Sequence, residues 1–312
     1  MKPEIVLVEP MMPAVEAALD AAYVVHRLSQ APDRTRLLAE VGSRVRAVVT
    51  GGATGVSNAV VDVCPNLGII AINGIGTDAV DLEHARARGI RVTTTPGVLT
   101  DDVADMAMGL ILAASRRLVV GDRFVRAGQW PGGKLPLARK VTGKRLGILG
   151  LGRIGRAVAE RAVGFGMSIA YTNREVCEDV PYRYVASLED LARGSDILVV
   201  AASGGPATRN LVGRAVLDAL GPEGILVNVA RGSVVDEPEL VAALVEGRLG
   251  GAGLDVFADE PHVPEALFAL DNVVLAPHQA SATVETRTAM GDLVLANLTA
   301  FFAGQPLPTP VV

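Results

Sequence analysis

Leu146-Gly147-Ile148-Leu149-Gly150-Leu151-Gly152-Arg153-Ile154-Gly155 decides the fold. A short aliphatic run bounded by turn residues reads as a strand buried on both faces of a parallel sheet. It passes directly into a Gly-x-Gly-x-x-Gly loop, and a helical pattern follows from Arg156 to Val163. In such a loop Gly150 allows the tight turn, Gly152 lets the backbone approach a pyrophosphate, and Gly155 lets the helix pack close to the strand. The helix N-terminus then offers free N–H groups and a positive dipole end to phosphates. The chain has 34 glycines, so the spacing alone means little. The strand before it and the helix after it are what make the reading specific.

On either side, aliphatic runs alternate with helical patterns. Leu146–Leu149 opens one series, continued by Ser168–Thr172, Ile197–Val200, Ile225–Asn228, Gly253–Val256 and Val273–Leu275. An earlier series comprises Ile5–Val8, Ala47–Thr50, Gly68–Ile72 and Ile90–Thr93, with helical stretches such as Pro13–Ala21 and Arg34–Val41 between them. Such alternation implies doubly wound α/β sheets with right-handed crossovers. The expected fold is therefore two Rossmann-like parallel-sheet domains. A helix from Asp101 to about Ala127, capped by Thr100 or Asp101, joins the two series, and another from about Ala282 to Phe302 follows the last strand. These junction helices place the second domain as an insertion: residues 1–99 plus 287–312 form a flavodoxin-like substrate-binding unit, and 100–286 a dinucleotide unit. The Pro-rich tail, Gln305 to Val312, is expected as a surface arm.

With 312 residues, half of them hydrophobic, two cores are affordable. A net charge of −5 speaks against a nucleic-acid or anionic-membrane surface. Cys64 and Cys177 lie far apart without a metal-type spacing, no metal site is expected, and both read as inert thiols in a reducing compartment. The N-terminal apolar run is broken by Glu9 and Pro10, unlike a signal peptide, and the apolar stretch around Met106–Ala114 is too short to span a bilayer. The expected location is the cytoplasm.

The strand Ser168–Thr172 ends at Asn173-Arg174. A site for NAD usually carries Asp or Glu there, which bonds the ribose hydroxyls and repels a 2′-phosphate. Here a neutral amide and a cation stand instead, so that Asn173 could donate to a phosphate oxygen and Arg174 pair with its charge. NADP(H) is the expected preference. Glu175 folded back to the ribose is the alternative, and it would restore NAD(H) binding.

Three later strand ends carry polar residues: Arg231 after Asn228-Val229-Ala230, Glu260 after Asp255, and His278 after Pro277. Hydride addition to a ketone leaves an alkoxide that must be protonated, and an imidazole is the usual donor near neutral pH. A carboxylate beside it orients the ring. A 2-oxo acid also needs a cation for its own carboxylate, and Arg offers a planar fork. His26, His84 and His262 have no motif around them and are read as non-catalytic.

The motifs GLGRIG at 150–155, NVARGSVVDEPELVAAL at 228–244, GAGLDVFADEP at 251–261 and PHQASATVETR at 277–287 resemble the D-isomer-specific 2-hydroxyacid dehydrogenase family, over essentially the whole chain. Within it the chain looks most like the glyoxylate/hydroxypyruvate reductases, several of which use NADPH through a Ser-Arg or Asn-Arg pair. The resemblance implies that His278 is the general acid/base, Glu260 its partner and Arg231 the cation that orients substrate. It also implies that Asp255 lies near the nicotinamide carboxamide, and that Asn73-Gly74-Ile75-Gly76 holds the substrate carboxylate on backbone N–H groups, with Thr50-Gly51-Gly52 on the other side. Candidate cofactor contacts are then Gly150, Gly152, Arg153, Ile154, Gly155, Asn173, Arg174, Ala202, Thr208, Val229, Ala230, Asp255 and His278. Candidate substrate contacts are Gly51, Ile75, Gly76, Arg231 and His278. Trp130 is a candidate wall of the substrate pocket, in its own or a neighbouring subunit. The loop Ala201–Thr208 departs from the usual Leu-Thr-Pro-Glu-Thr pattern, which leaves Gly204 and Gly205 for backbone contacts. The implied activity is reduction of hydroxypyruvate or glyoxylate to the D-2-hydroxy acid by a homodimer. Reduction of 2-ketogluconate or phenylpyruvate, and a cofactor-sensing corepressor, are the alternatives.

Overall fold

A computed structural model describes residues 2–312. The chain divides into two compact units, Met1–Leu99 with Ser281–Val312, and Thr100–Ala280.

In the first unit five parallel strands, β1 (Glu4–Leu7), β2 (Val24–Arg27), β3 (Val45–Gly51), β4 (Ile69–Asn73) and β5 (Arg91–Thr93), stand in the order β2-β1-β3-β4-β5. Alternation along each strand sends side chains to opposite faces. Val6, Val48, Ile70 and Val92 pack with Leu38, Val61 and Ala85 of helices Arg34–Val41, Asn58–Asp62 and Leu82–Ala87. Ile5, Leu7, Ala47, Val49, Ile69 and Ala71 pack with Val15 and Leu19 of helix Pro13–Ala22 and with Val294 and Leu298 of helix Val284–Phe302. Both faces are thus covered, which is why the inner strands read as continuous aliphatic runs. β2 is different. It is an edge strand whose His26 and Arg27 pair with Glu4, Glu16 and Asp20, so its polar content hides it from a hydrophobic-run search. The C-terminal tail is no loose arm: Val311 N–H donates to Val92 O at 2.7 Å, and Pro310 bridges Thr93.

In the second unit seven parallel strands follow: β6 (Arg145–Leu149), β7 (Ser168–Thr172), β8 (Arg183–Tyr184), β9 (Ile197–Val200), β10 (Ile225–Asn228), β11 (Gly251–Leu254) and β12 (Val273–Leu275). Their order is β12-β11-β10-β9-β6-β7-β8. The direction of winding reverses between β9 and β6, and a crevice opens outside the strand ends at such a switch point. The helix expected from Asp101 to Ala127 is two helices, Thr100–Arg116 and Leu118–Arg126, and Thr100 is already helical rather than a cap. Arg117 breaks it with a left-handed φ of 54°. The first piece buries Val103, Ala107, Leu110 and Ile111, whereas the second buries nothing, so packing changes where the apolar pattern does not.

Among the described residues no helix is long and apolar enough to cross a membrane, and no cluster of His, Cys, Asp and Glu could hold a metal ion.

Candidate active site

The loop after β6 is shaped by close approach. Gly150 has a φ of 96°, and a Cβ there would stand 2.6 Å from Ala202 N, so only glycine fits beneath the loop after β9. A Cβ on Gly155 would collide with the Gly150 carbonyl, while Gly152, the N-cap of helix Arg153–Val163, faces open space. Around this turn lies a cavity of about 940 Å³, lined by Gly150, Gly152, Thr172, Asn173, Arg174 and the 201–208 loop among others. It sits at the switch point. Its size and the glycine cradle fit a dinucleotide, whose pyrophosphate would meet the free N–H groups at the helix start.

Asn173 has a second task that its position in sequence does not reveal. Its Oδ1 accepts from Leu151 N–H at 2.6 Å, latching the glycine turn, and its Nδ2 lies 3.1 Å from Cys177 Sγ. Buried Tyr171 holds Cys177 in place through the backbone at 2.8 Å. Arg174 is exposed on the cavity rim and pairs with no acidic side chain among the described residues; Glu175 lines the same rim. Thr208 Oγ1 donates to Ser203 O at 2.7 Å and closes the 203–208 loop on itself. Arg153 and Ile154 form the first helical residues after Gly152.

The ends of β10, β11 and β12 carry the polar trio. Asn228, fully buried, folds the chain after β10: its Oδ1 accepts from Ala230 N–H at 3.1 Å and its Nδ2 donates to Arg231 O at 3.0 Å. Val229 extends the ladder to Val200 O. Gly232 then packs on the Phe257 carbonyl, where any Cβ would collide, and this close contact draws the Arg231 turn onto the 257–260 segment.

Asp255 is buried beneath that segment. Its Oδ1 and Oδ2 accept from Gln279 and Ala280 N–H at 2.8 and 2.9 Å, and its carbonyl accepts from His278 N–H at 2.8 Å. Burial pushes its carboxyl above the usual value, and the two backbone bonds oppose the shift. Asp255 thereby holds His278 in a left-handed conformation, φ 49°, that a β-substituted residue adopts only when its neighbours impose it.

His278 Nδ1 and Glu260 Oε2 are 2.6 Å apart, and Glu260 Oε1 accepts from Phe257 N–H at 3.0 Å. Burial alone would raise the Glu260 carboxyl. The His278 hydrogen bond, the Phe257 N–H and the charges of His278 and Arg231 outweigh it and hold the group below the usual carboxylate range. An ionised carboxylate only accepts, so Nδ1 carries the proton of that bond and Nε2 is left for exchange. The structure therefore brings Arg231, Glu260 and His278 into one electrostatic cluster. His26, His84 and His262 stand apart, against Glu4, Asp62 and Asp259.

In the first unit, Gly51, at the end of β3, is paired in register with Asn73, at the end of β4. A Cβ on Gly74 would lie 3.1 Å from Gly52 Cα, so the two glycine turns are in contact, and Ile75 projects into solvent. The turn-closing role of Asn228 is not marked by the family motifs, although an Asn at a strand end before small residues is a common sign of a side-chain-closed turn. Nor does any motif mark the link from Tyr171 through Cys177 to Asn173.

Residues 108–280 match the family model described as D-isomer specific 2-hydroxyacid dehydrogenase, NAD binding domain. The hydroxyphenylpyruvate reductase of Plectranthus scutellarioides is 52% identical over 303 residues, 97% of each chain. The 2-ketogluconate reductase of Gluconobacter oxydans is 45% identical over 311 residues, covering 100% of this chain and 99% of that one. Among solved structures, the NADPH-dependent glyoxylate/hydroxypyruvate reductase of Sinorhizobium meliloti, in complex with NADP and malonate, superposes with a TM-score of 0.95 at 42% identity, covering 100% of this chain and 97% of that one. With that likeness end to end, and with the glycine turn and the polar strand ends in place, the chain belongs to the D-isomer specific 2-hydroxyacid dehydrogenases and is an oxidoreductase of that family.

Proposed function

We propose that the enzyme reduces a small 2-oxo acid, hydroxypyruvate or glyoxylate, to the D-2-hydroxy acid, with NADPH preferred over NADH. The observation that carries this reading is the His278–Glu260 pair at 2.6 Å with the Arg231 charge acting on it. A bound nicotinamide supplies the hydride. Glu260 fixes the imidazole by its Nδ1, so His278 Nε2 gives its proton to the carbonyl oxygen as C2 becomes tetrahedral. Arg231 pairs with the substrate carboxylate and polarises the carbonyl. Backbone N–H groups of Ile75 and Gly76, with Gly51 opposite, hold the same carboxylate. Arg174, on the rim beside Asn173 with no acidic partner among the described residues, supports a 2′-phosphate and hence NADPH. We assign the dinucleotide to the second unit and the substrate loop to the first.

We further infer a cytoplasmic homodimer. Trp130 and Leu137 are 67% and 98% exposed, and Leu118, Val119 and Val125, in the same stretch of the chain, are exposed as well. A run of large apolar side chains left in water favours a contact surface, and a second copy would cover them.

A spectrophotometric screen of NADPH and NADH oxidation over small 2-oxo acids tests the reading. Turnover of hydroxypyruvate or glyoxylate, faster with NADPH, is expected. Oxidation of neither cofactor with any 2-oxo acid would contradict it and favour a cofactor-sensing role.

A further inference from the structure

At the carboxyl end of the five-stranded sheet stands a carboxylate that the proposed chemistry does not use. Glu9 follows β1 just past Val8, whose N–H continues the ladder to Val49 O at 2.9 Å. It is partly buried, with its side chain laid across Gly51. A Cβ at position 51 would collide with both carboxylate oxygens and the carbon between them, so the bare glycine is what admits this group. The Thr54 hydroxyl donates to Oε2. No described residue donates to Oε1, and among the described residues no Lys or Arg pairs with Glu9. Its neighbours behave otherwise. Glu4 pairs with Arg44 and His26, and Glu16 pairs with Arg27.

The place of this carboxylate matters more than its lack of a cation. Gly51 is in register with Asn73, and the Gly51-Gly52 turn touches the Gly74–Gly76 turn, where a Cβ on Gly52 would lie 3.4 Å from Gly76 O. Glu9 therefore borders the backbone loop that would hold a substrate carboxylate. A carboxylate whose Oε1 is unfilled among the described residues favours a neutral hydroxyl donor. It disfavours an apolar group, which would strip water from the carboxylate, and a second carboxylate, which it repels.

We propose that Glu9 is a specificity-determining residue: it accepts a hydrogen bond from a hydroxyl on C3 or beyond, and so selects hydroxylated 2-oxo acids over unsubstituted and dicarboxylic ones. This rests on the reading that Ile75 and Gly76 hold the substrate carboxylate, and it makes that site's substrate class a 3-hydroxy-2-oxo acid. Gly51 is the enabling partner, since a side chain there would displace the Glu9 carboxylate.

The test uses the full-length enzyme and the variants Glu9→Gln and Glu9→Ala. The quantity read is kcat/KM for hydroxypyruvate, glyoxylate and oxaloacetate, with NADPH and with NADH. Glyoxylate has no C3, and oxaloacetate carries a carboxylate on it. The hydroxypyruvate-to-glyoxylate ratio is expected to fall about 10- to 100-fold in Glu9→Ala and less in Glu9→Gln, whose amide oxygen still accepts. Oxaloacetate reduction is expected to rise about tenfold in both variants, a gain that damage to the fold would not produce. A hydroxypyruvate-to-glyoxylate ratio within about twofold of wild type in both variants overturns the proposal. Failure of the wild-type enzyme to reduce any of the three overturns instead the reading beneath it, and the two failures are told apart by the wild-type measurement alone.

Discussion

Two sheet edges of one chain use the same architecture in opposite ways. At the end of the seven-stranded sheet, long polar side chains, Arg231, Glu260 and His278, are driven together by a buried Asn228, a buried Asp255 and the close packing of Gly232. At the end of the five-stranded sheet, side chains are removed: Gly51, Gly52, Gly74 and Gly76 leave bare backbone, with Glu9 laid over it. One edge carries ionisable side chains held against one another. The other carries shape and the Glu9 carboxylate. Parallel doubly wound sheets supply the positions, and the loops decide what is done there.

The contrast predicts that substitutions at the first edge reduce turnover of every substrate, while those at the second redistribute it. Arg231→Ala is the larger blow: kcat/KM is expected to fall about 10²- to 10³-fold for all 2-oxo acids alike, without restoration by Arg231→Lys, which lacks the planar fork. Steady-state kinetics over several substrates check this, and a loss confined to one substrate would blur the distinction. Arg174→Ala acts at the cofactor rim and is expected to lower the ratio of NADPH to NADH efficiency about tenfold, with little change between substrates.

The smallest effect concerns pH. Glu260 is held below its ordinary value of 4.5 in the folded state. The stabilisation is therefore fully present above that value and is lost as pH falls through the lowered one. The Tm difference between wild type and Glu260→Gln should shrink as the pH drops below about 4.5, a trend that thermal melts across acid buffers would follow.

Much of this was legible in the chain itself. Ser168–Thr172, Ile197–Val200, Ile225–Asn228 and Val273–Leu275 form strands at the residues their runs mark, and for the inner pair, Ile197–Val200 and Ile225–Asn228, the reason is that a strand covered on both faces is almost wholly apolar. β11 begins and ends two residues before the run Gly253–Val256. Gly251 and Ala252 carry little strand signal; past the last strand residue, Leu254, the Asp255 N–H still donates to Asn228 O while its side chain binds the backbone of Gln279 and Ala280. The break at Arg117 was not legible, since Leu118, Val119 and Val125 continue the apolar pattern with nothing to pack on. Arg231, Glu260 and His278 stood out as polar residues at apolar strand ends. The residues that set their geometry did not, because an Asn228 or an Asp255 acts through backbone groups brought near only by folding. Glu9 is hidden for the same reason: its meaning lies in the missing side chain of Gly51.

In the proposed reaction His278, held by Glu260, is the proton donor. Replacing His278 with Ala, and measuring NADPH oxidation by hydroxypyruvate beside a fluorescence titration of NADPH binding, tests that most directly. A fall in kcat of about 10²- to 10⁴-fold with NADPH still bound is the predicted result. A variant that keeps more than about a tenth of the wild-type kcat would contradict it.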